Sequence, residues 1–130
     1  MSESTLTVEE RTFSERTSAE YTALVADEDG NGIDAADLDT LTLTLSNLAD
    51  GSIINSRNAQ NVLNANNVTV DAEGNLVWSI TPSDTVMVRT AVKIGYTEKH
   101  RALFRWTWDG GAKAGSHEMV MLITNVAKVT

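Results

Sequence analysis

The sequence predicts an all-β sandwich of seven to nine short antiparallel strands, and three observations carry that prediction. Leu41, Leu43 and Leu45 alternate with Thr42, Thr44 and Ser46. Ala102, Phe104, Trp106 and Trp108 alternate with Arg101, Leu103, Arg105 and Thr107. Turn signals separate these and similar runs at roughly regular spacing, and no long segment has helical periodicity. Successive side chains of a strand point to opposite faces, so each run presents one apolar face and one polar face.

The elements follow in order. Residues 1–13 are expected to form an N-terminal arm or an edge strand, with Leu6–Phe13 weakened as a strand by Glu9, Glu10 and Arg11. Tyr21, Ala23 and Val25 mark the next strand. The run DEDGNGID, Asp27–Asp34, breaks the pattern as a loop, because Gly and Asn tolerate positive φ. Ala35–Asp39 adds a short helical turn before the Leu41–Leu45 strand. Asp50-Gly51 is a tight-turn dipeptide, and Ser52–Asn55 is expected to return as a hairpin partner. Asn55, Asn58, Asn61 and Asn64 recur every third residue, which fits either a short 3₁₀ turn or a loop held by asparagine side-chain hydrogen bonds.

Val68 and Val70 open a short strand, and Leu76, Trp78 and Ile80 another. Pro82 ends the latter because it lacks a ladder N–H, and Ser83-Asp84 is placed to cap a brief turn. Val86–Val92 reads as an irregular edge strand or a loop. Asp109–Gly115 closes a Gly/Ala loop, and the last strand runs from Ser116 to about Lys128. Its His117, Met119, Met121 and Ile123 share one face and Val120 and Leu122 the other, so both faces are apolar in the middle.

The totals bound the function. A chain of 130 residues is expected to be one domain with a core of its own. The absence of cysteine removes disulfides, thiolate metal sites and cysteine nucleophiles. The first residues show no signal-peptide pattern, and no apolar run is long enough to span a bilayer. A formal net charge of −8 repels phosphate backbones, so neither nucleic acid nor membrane is expected as a partner.

Candidate chemistry is thin. Asp27, Asp29, Asn31 and Gly32 match the opening positions of a calcium-binding loop, but Leu38 stands where the bidentate glutamate is needed. Asp27, Asp29 and Asn31 are therefore weak calcium candidates, and a polar hairpin loop is the simpler expectation. His100 and His117, the two histidines, are placed to meet across the final hairpin, yet a third metal ligand and a nucleophile elbow are lacking. Trp78, Trp106 and Trp108 would stack on sugars if exposed, but each shares parity with core residues. No catalytic residue, cofactor or metal is assigned.

The succession TLTLTLSNLADGSIINSRNAQNVLN, GNLVWSITPSDT, EKHRALFRWTW and AGSHEMVMLITNVAKV resembles the small immunoglobulin-like β-sandwich proteins encoded among the virion genes of tailed bacteriophages and prophages. The resemblance spans about residues 5–130 and lies in the order of these phrases, not in a catalytic signature. It implies an immunoglobulin-like sandwich, with Trp78 in the part of the core tryptophan. It also implies a non-enzymatic virion protein that decorates the capsid, lines the head–tail neck or adapts a fibre. Capsid, neck or tail proteins of the same particle would be its partners, in multiple symmetric copies, after synthesis in the host cytoplasm. A carbohydrate-binding or adhesin module is the alternative, and a small hydrolase stands behind both. Arg101 and Arg105, two cations on the polar side of one strand in an acidic chain, are the expected contacts to a neighbouring subunit.

Overall fold

The computed structural model describes residues 9–88 and 97–124. Among the described residues eight strands form two sheets: β1 (Glu9–Ser14), β2 (Ala19–Leu24), β3 (Leu38–Asn47), β4 (Gln60–Asn61), β5 (Val68–Val70), β6 (Asn75–Ile80), β7 (Thr97–Trp108) and β8 (Lys113–Thr124). The larger sheet has the order β1-β8-β7-β3-β4 and the smaller the order β2-β6-β5. Taken in chain order, β2, β6 and β5 occupy the B, E and D places of an immunoglobulin sandwich, and β3, β7 and β8 the C, F and G places, with β4 beside β3 as C′. Trp78 lies on β6, the E place, and not on the C strand where antibody domains keep their core tryptophan.

Parity explains the packing. Leu41, Leu43 and Leu45 of β3 lie opposite Trp106, Phe104 and Ala102 of β7, and all six are buried. Met119, Met121 and Ile123 extend the same inward layer on β8. The smaller sheet answers with Tyr21, Val68, Leu76, Trp78 and Ile80. Trp78 meets Phe104 edge to face across the two sheets, with ring centroids 5.7 Å apart at 78°. Removing one buried leucine from water contributes about 1.5–3 kcal/mol, so the three leucines of β3 are a main source of cohesion.

Two expectations are corrected and a third is narrowed. The strands are not all antiparallel, because β1 pairs with β8 in parallel register, Glu9 opposite Met119 through Ser14 opposite Thr124. Nor are they all short: β7 and β8 each run 12 residues. Ser52–Asn55 does return alongside β3, through the antiparallel bridge Ser46 to Ile53 and the hydrogen bonds Asn47 N to Ser52 O and Ile54 N to Leu45 O, but the regular strand on that edge of β3 is the two-residue β4.

Smaller features also shift. The last turn is tighter than the Gly/Ala run implies, and β8 starts at Lys113. Gly115 belongs to that strand, opposite Trp106, and a Cβ there would lie 2.6 Å from Nε1 of Trp106. The helical turn after the 27–34 loop covers Ala35–Asp37. The turn after β6 is a 3₁₀ segment, Pro82–Thr85, with Thr81 as its N-cap residue; of the expected Ser83-Asp84 pair, Asp84 takes part in the cap by accepting from the Thr81 N–H at 2.9 Å. Apart from β4, the asparagine-rich stretch is a loop: Leu63 N donates to Asn61 Oδ1, Val70 N to Asn64 Oδ1, and Asn55, Asn64, Asn66 and Asn67 have positive φ. Residues 86–88 form no strand. The remainder of the predicted 86–92 edge, residues 1–8 of the predicted arm and residues 125–128 of the predicted last strand lie outside the described residues.

Candidate functional site

The outward face of the five-stranded sheet is the candidate site, and strand register builds it. Residues opposite one another across a ladder share a face. One row joins Thr12, Leu122, Lys99 and, beyond β7, Leu48, whose N–H donates to the Lys99 carbonyl at 2.9 Å. The next joins Glu10, Val120, Arg101, Ser46 and Ile53. Glu118, Leu103 and Thr44 make a third row, and Ser116, Arg105 and Thr42 a fourth.

Leu48 and Ile53 are 46% and 41% exposed, and are two of the three exposed large hydrophobics among the described residues. Leu103 and Leu122 are partly exposed between them and β1. Arg101 and Arg105 do share this face. Arg101 Nε donates to Glu118 Oε2 at 2.6 Å, whereas Arg105 and Lys99 are exposed and have no ion pair among the described residues. The result is an apolar patch studded with two cations that are unpaired among the described residues. Parity alone selects Arg101, Arg105, Val120 and Leu122. Leu48, Ile53, Lys99 and Glu10 join them only through register and hairpin geometry.

The loop end next to β6 and β8 has the opposite character. The β2–β3 loop meets the β5–β6 turn through Val25 N to Gly74 O at 2.8 Å, and Gly111 N donates to Asp39 Oδ2 at 2.8 Å. Lys113 pairs with Glu28 at 2.8 Å, and that contact holds the Glu28 carboxyl below its ordinary value and the ammonium above its own. Asp27, Asp34, Asp37, Asp39 and Asp109 surround a cleft of about 740 Å³ walled by Trp108. Nine of the chain's 18 acidic residues lie on these loops or at the first residues of β3, with Lys113 the single cation beside them among the described residues. Their formal charge of −8 equals that of the whole chain, so the other nine acids and nine cations cancel.

The Asp27 carboxylate closes the turn by accepting from the N–H groups of Asp29 and Asn31 at 2.9 and 3.0 Å. Among the described residues no group of three or more His, Asp or Glu side chains is arranged to hold a metal ion.

The two histidines both face the core but do not meet. His100 lies opposite Met121 and His117 opposite Phe104, four register steps apart. Fully buried His100 contacts Glu98 Oε1 through Nε2 at 2.6 Å, and the same oxygen accepts from Val88 N at 2.7 Å. Burial pushes the His100 imidazole below its ordinary pKa, and Glu98 only partly opposes it. His117 Nε2 lies 2.5 Å from the Tyr21 hydroxyl, which also donates to Glu9 Oε1 at 3.3 Å, linking β8 to β2 and β1. Burial lowers the His117 imidazole as well. The same burial, with Glu9 alongside, pushes the Tyr21 phenol up to about 12.

A buried ion pair went unseen in the sequence. Arg57 Nε donates to Asp84 Oδ1 at 2.6 Å, Asn55 Nδ2 to the same oxygen at 2.8 Å, and Thr81 N to Oδ2 at 2.9 Å. The Arg57 guanidinium also lies 5.7 Å over the Trp78 ring. Trp78 and Trp106 are buried, at 0% and 4% exposure, so they present no platform to a sugar; Trp108 is half-buried at the loop-end cleft. Comparison with protein-family models, with curated proteins and with solved structures finds no match.

Proposed function

We propose that this protein is a non-enzymatic structural component of a tailed-phage particle, decorating the capsid or forming part of the head–tail neck. In this reading it works by protein–protein contact through the outward face of its five-stranded sheet. The observation that carries the contact is the combination on that face of exposed Leu48 and Ile53 with Lys99 and Arg105, two cations without an ion pair among the described residues. Apolar side chains supply area and the cations orientation, the composition of a docking surface. The virion setting rests on the resemblance in the order of the strand phrases.

Incubating the purified, tagged chain with separated heads, necks and tails from a phage that encodes it tests this reading. Binding to one fraction at a symmetric copy number is the expected result, lost in a Leu48→Asp/Arg105→Glu variant. Equal failure of the native chain to bind all three fractions would overturn the reading. Capture on a glycan array with no particle binding would replace it with the adhesin alternative.

A further inference from the structure

We infer that copies of this chain associate head to tail, the outward sheet face of one copy seating the acidic loop end of the next. The inference rests on the proposed function and names the partner of that same face.

Two surfaces of one molecule complement each other. The sheet face has Lys99, Arg101 and Arg105 along β7, against Glu10, Glu118 and, in the turn between Leu48 and Ile53, Asp50, and Glu118 is already occupied by Arg101. Among the described residues the loop end bears nine acids and one cation. The apolar side chains divide in the same way. Leu48 and Ile53 stand on the sheet face; Leu24, 44% exposed and the third of the exposed large hydrophobics among the described residues, stands at the loop end. There it lines a cleft of about 290 Å³ with Trp106 and Trp108.

Like-with-like pairing is disfavoured. Two loop ends would bring nine acids against nine, and two sheet faces would oppose their unpaired cations. Face against loop end joins opposite signs and covers apolar surface on both sides. Such a contact is heterologous. Each added copy keeps one free face and one free loop end, so the association closes into a ring or continues as a filament, according to the rotation at each joint.

Sedimentation velocity of the full chain tests the inference. The native chain should sediment faster with rising concentration at about 20 mM salt, and the effect should weaken at about 500 mM, where exposed charges are screened. Two surface variants separate the partners: Lys99→Glu/Arg105→Glu reverses the face, and Asp29→Lys/Asp37→Lys/Glu73→Lys discharges the loop end. Each variant alone should associate about tenfold more weakly or worse, with an unchanged circular dichroism spectrum. Mixed, they should form a one-to-one pair and stop, because the native loop end of the first fits the native face of the second and no other complementary pair is left.

A native chain that stays monomeric at low salt up to millimolar concentration would overturn the inference. Native-strength association of the loop-end variant alone would do the same, since it means that the faces pair with each other. If the native chain stays monomeric yet binds a particle fraction, the proposed function stands and the head-to-tail contact alone falls.

Discussion

Arg57 and Asp84, 27 residues apart in sequence, form an ion pair 2.6 Å long with side-chain exposures of 3% and 0%. Burial pushes the Asp84 carboxyl up, but hydrogen bonds from Arg57, Thr81 and Asn55 outweigh it and hold the group below its ordinary value of 3.8. Removing one partner strands a charge in the interior. Arg57→Met or Asp84→Asn alone should cost about 3–5 kcal/mol, while the double variant Arg57→Met/Asp84→Leu should cost less than the worse single one. Urea unfolding of the three variants checks this, and additive losses would contradict it.

The histidines set the upper part of the acid limb. Both imidazoles have folded pKa values below the ordinary 6.5, through burial. Below pH 6.5 the unfolded chain therefore binds protons that the folded chain refuses, and stability falls with pH until the folded values are passed. His117→Gln should flatten this limb. Histidine NMR titration should show both rings protonating below 6.5, and a midpoint above it would exclude the burial explanation.

Tyr21 sets an alkaline limb. Its folded pKa of about 12 lies above the ordinary 10. Stability linked to this group is complete below pH 10 and is lost as pH rises from there to about 12, because only the unfolded phenol ionises in that window. Tyr21→Phe should remove that dependence while keeping the ring's packing. Thermal melts of both proteins across the window provide the comparison.

Gly115→Ala should destabilise by about 1–3 kcal/mol, the usual range for forcing an extra carbon into a packed site. The new Cβ would lie 2.6 Å from Trp106 Nε1, which donates to the Ala26 carbonyl at 3.2 Å. Displacing the indole should also change tryptophan fluorescence. The same substitution at Gly110, where nothing lies within 4 Å, provides a control for positive-φ strain without a clash.

Arg101 and Glu118 are diagonal neighbours in adjacent rows of the candidate face, and their side chains are 41% and 31% exposed. A double-mutant cycle with Arg101→Ala and Glu118→Ala should give a coupling of about 1 kcal/mol or less. A much larger coupling would mean that the pair holds β7 to β8 and is not available to a partner.

The legible part of this fold is the part written in local alternation. Leu41, Leu43 and Leu45, like Ala102, Phe104 and Trp106, announce both their strands and their buried face. Arg101 and Arg105 follow as the opposite parity. What stays hidden depends on which distant segments meet. Arg57 sits in a run of asparagines that looks solvated, and only the Pro82–Thr85 turn explains its burial. Leu48 and Ile53 look like core residues, but the bridge from Ser46 to Ile53 sets them on the outer face. The concentration of acids at one end is equally non-local, because Asp71 and Glu73 join Asp27–Asp39 only when the β5–β6 turn packs beneath the β2–β3 loop.

The parallel pairing of β1 with β8 has a mechanical consequence. The ladder runs from Glu9 opposite Met119 to Ser14 opposite Thr124, so the chain enters at one end of it and leaves at the other. Tension applied through the two flanking segments would pull these strands in opposite directions along their own axes. Every hydrogen bond of the ladder then bears load at once, in shear, instead of opening one after another like a zip. A domain joined to its neighbours through those segments would resist extension until the whole ladder gave way.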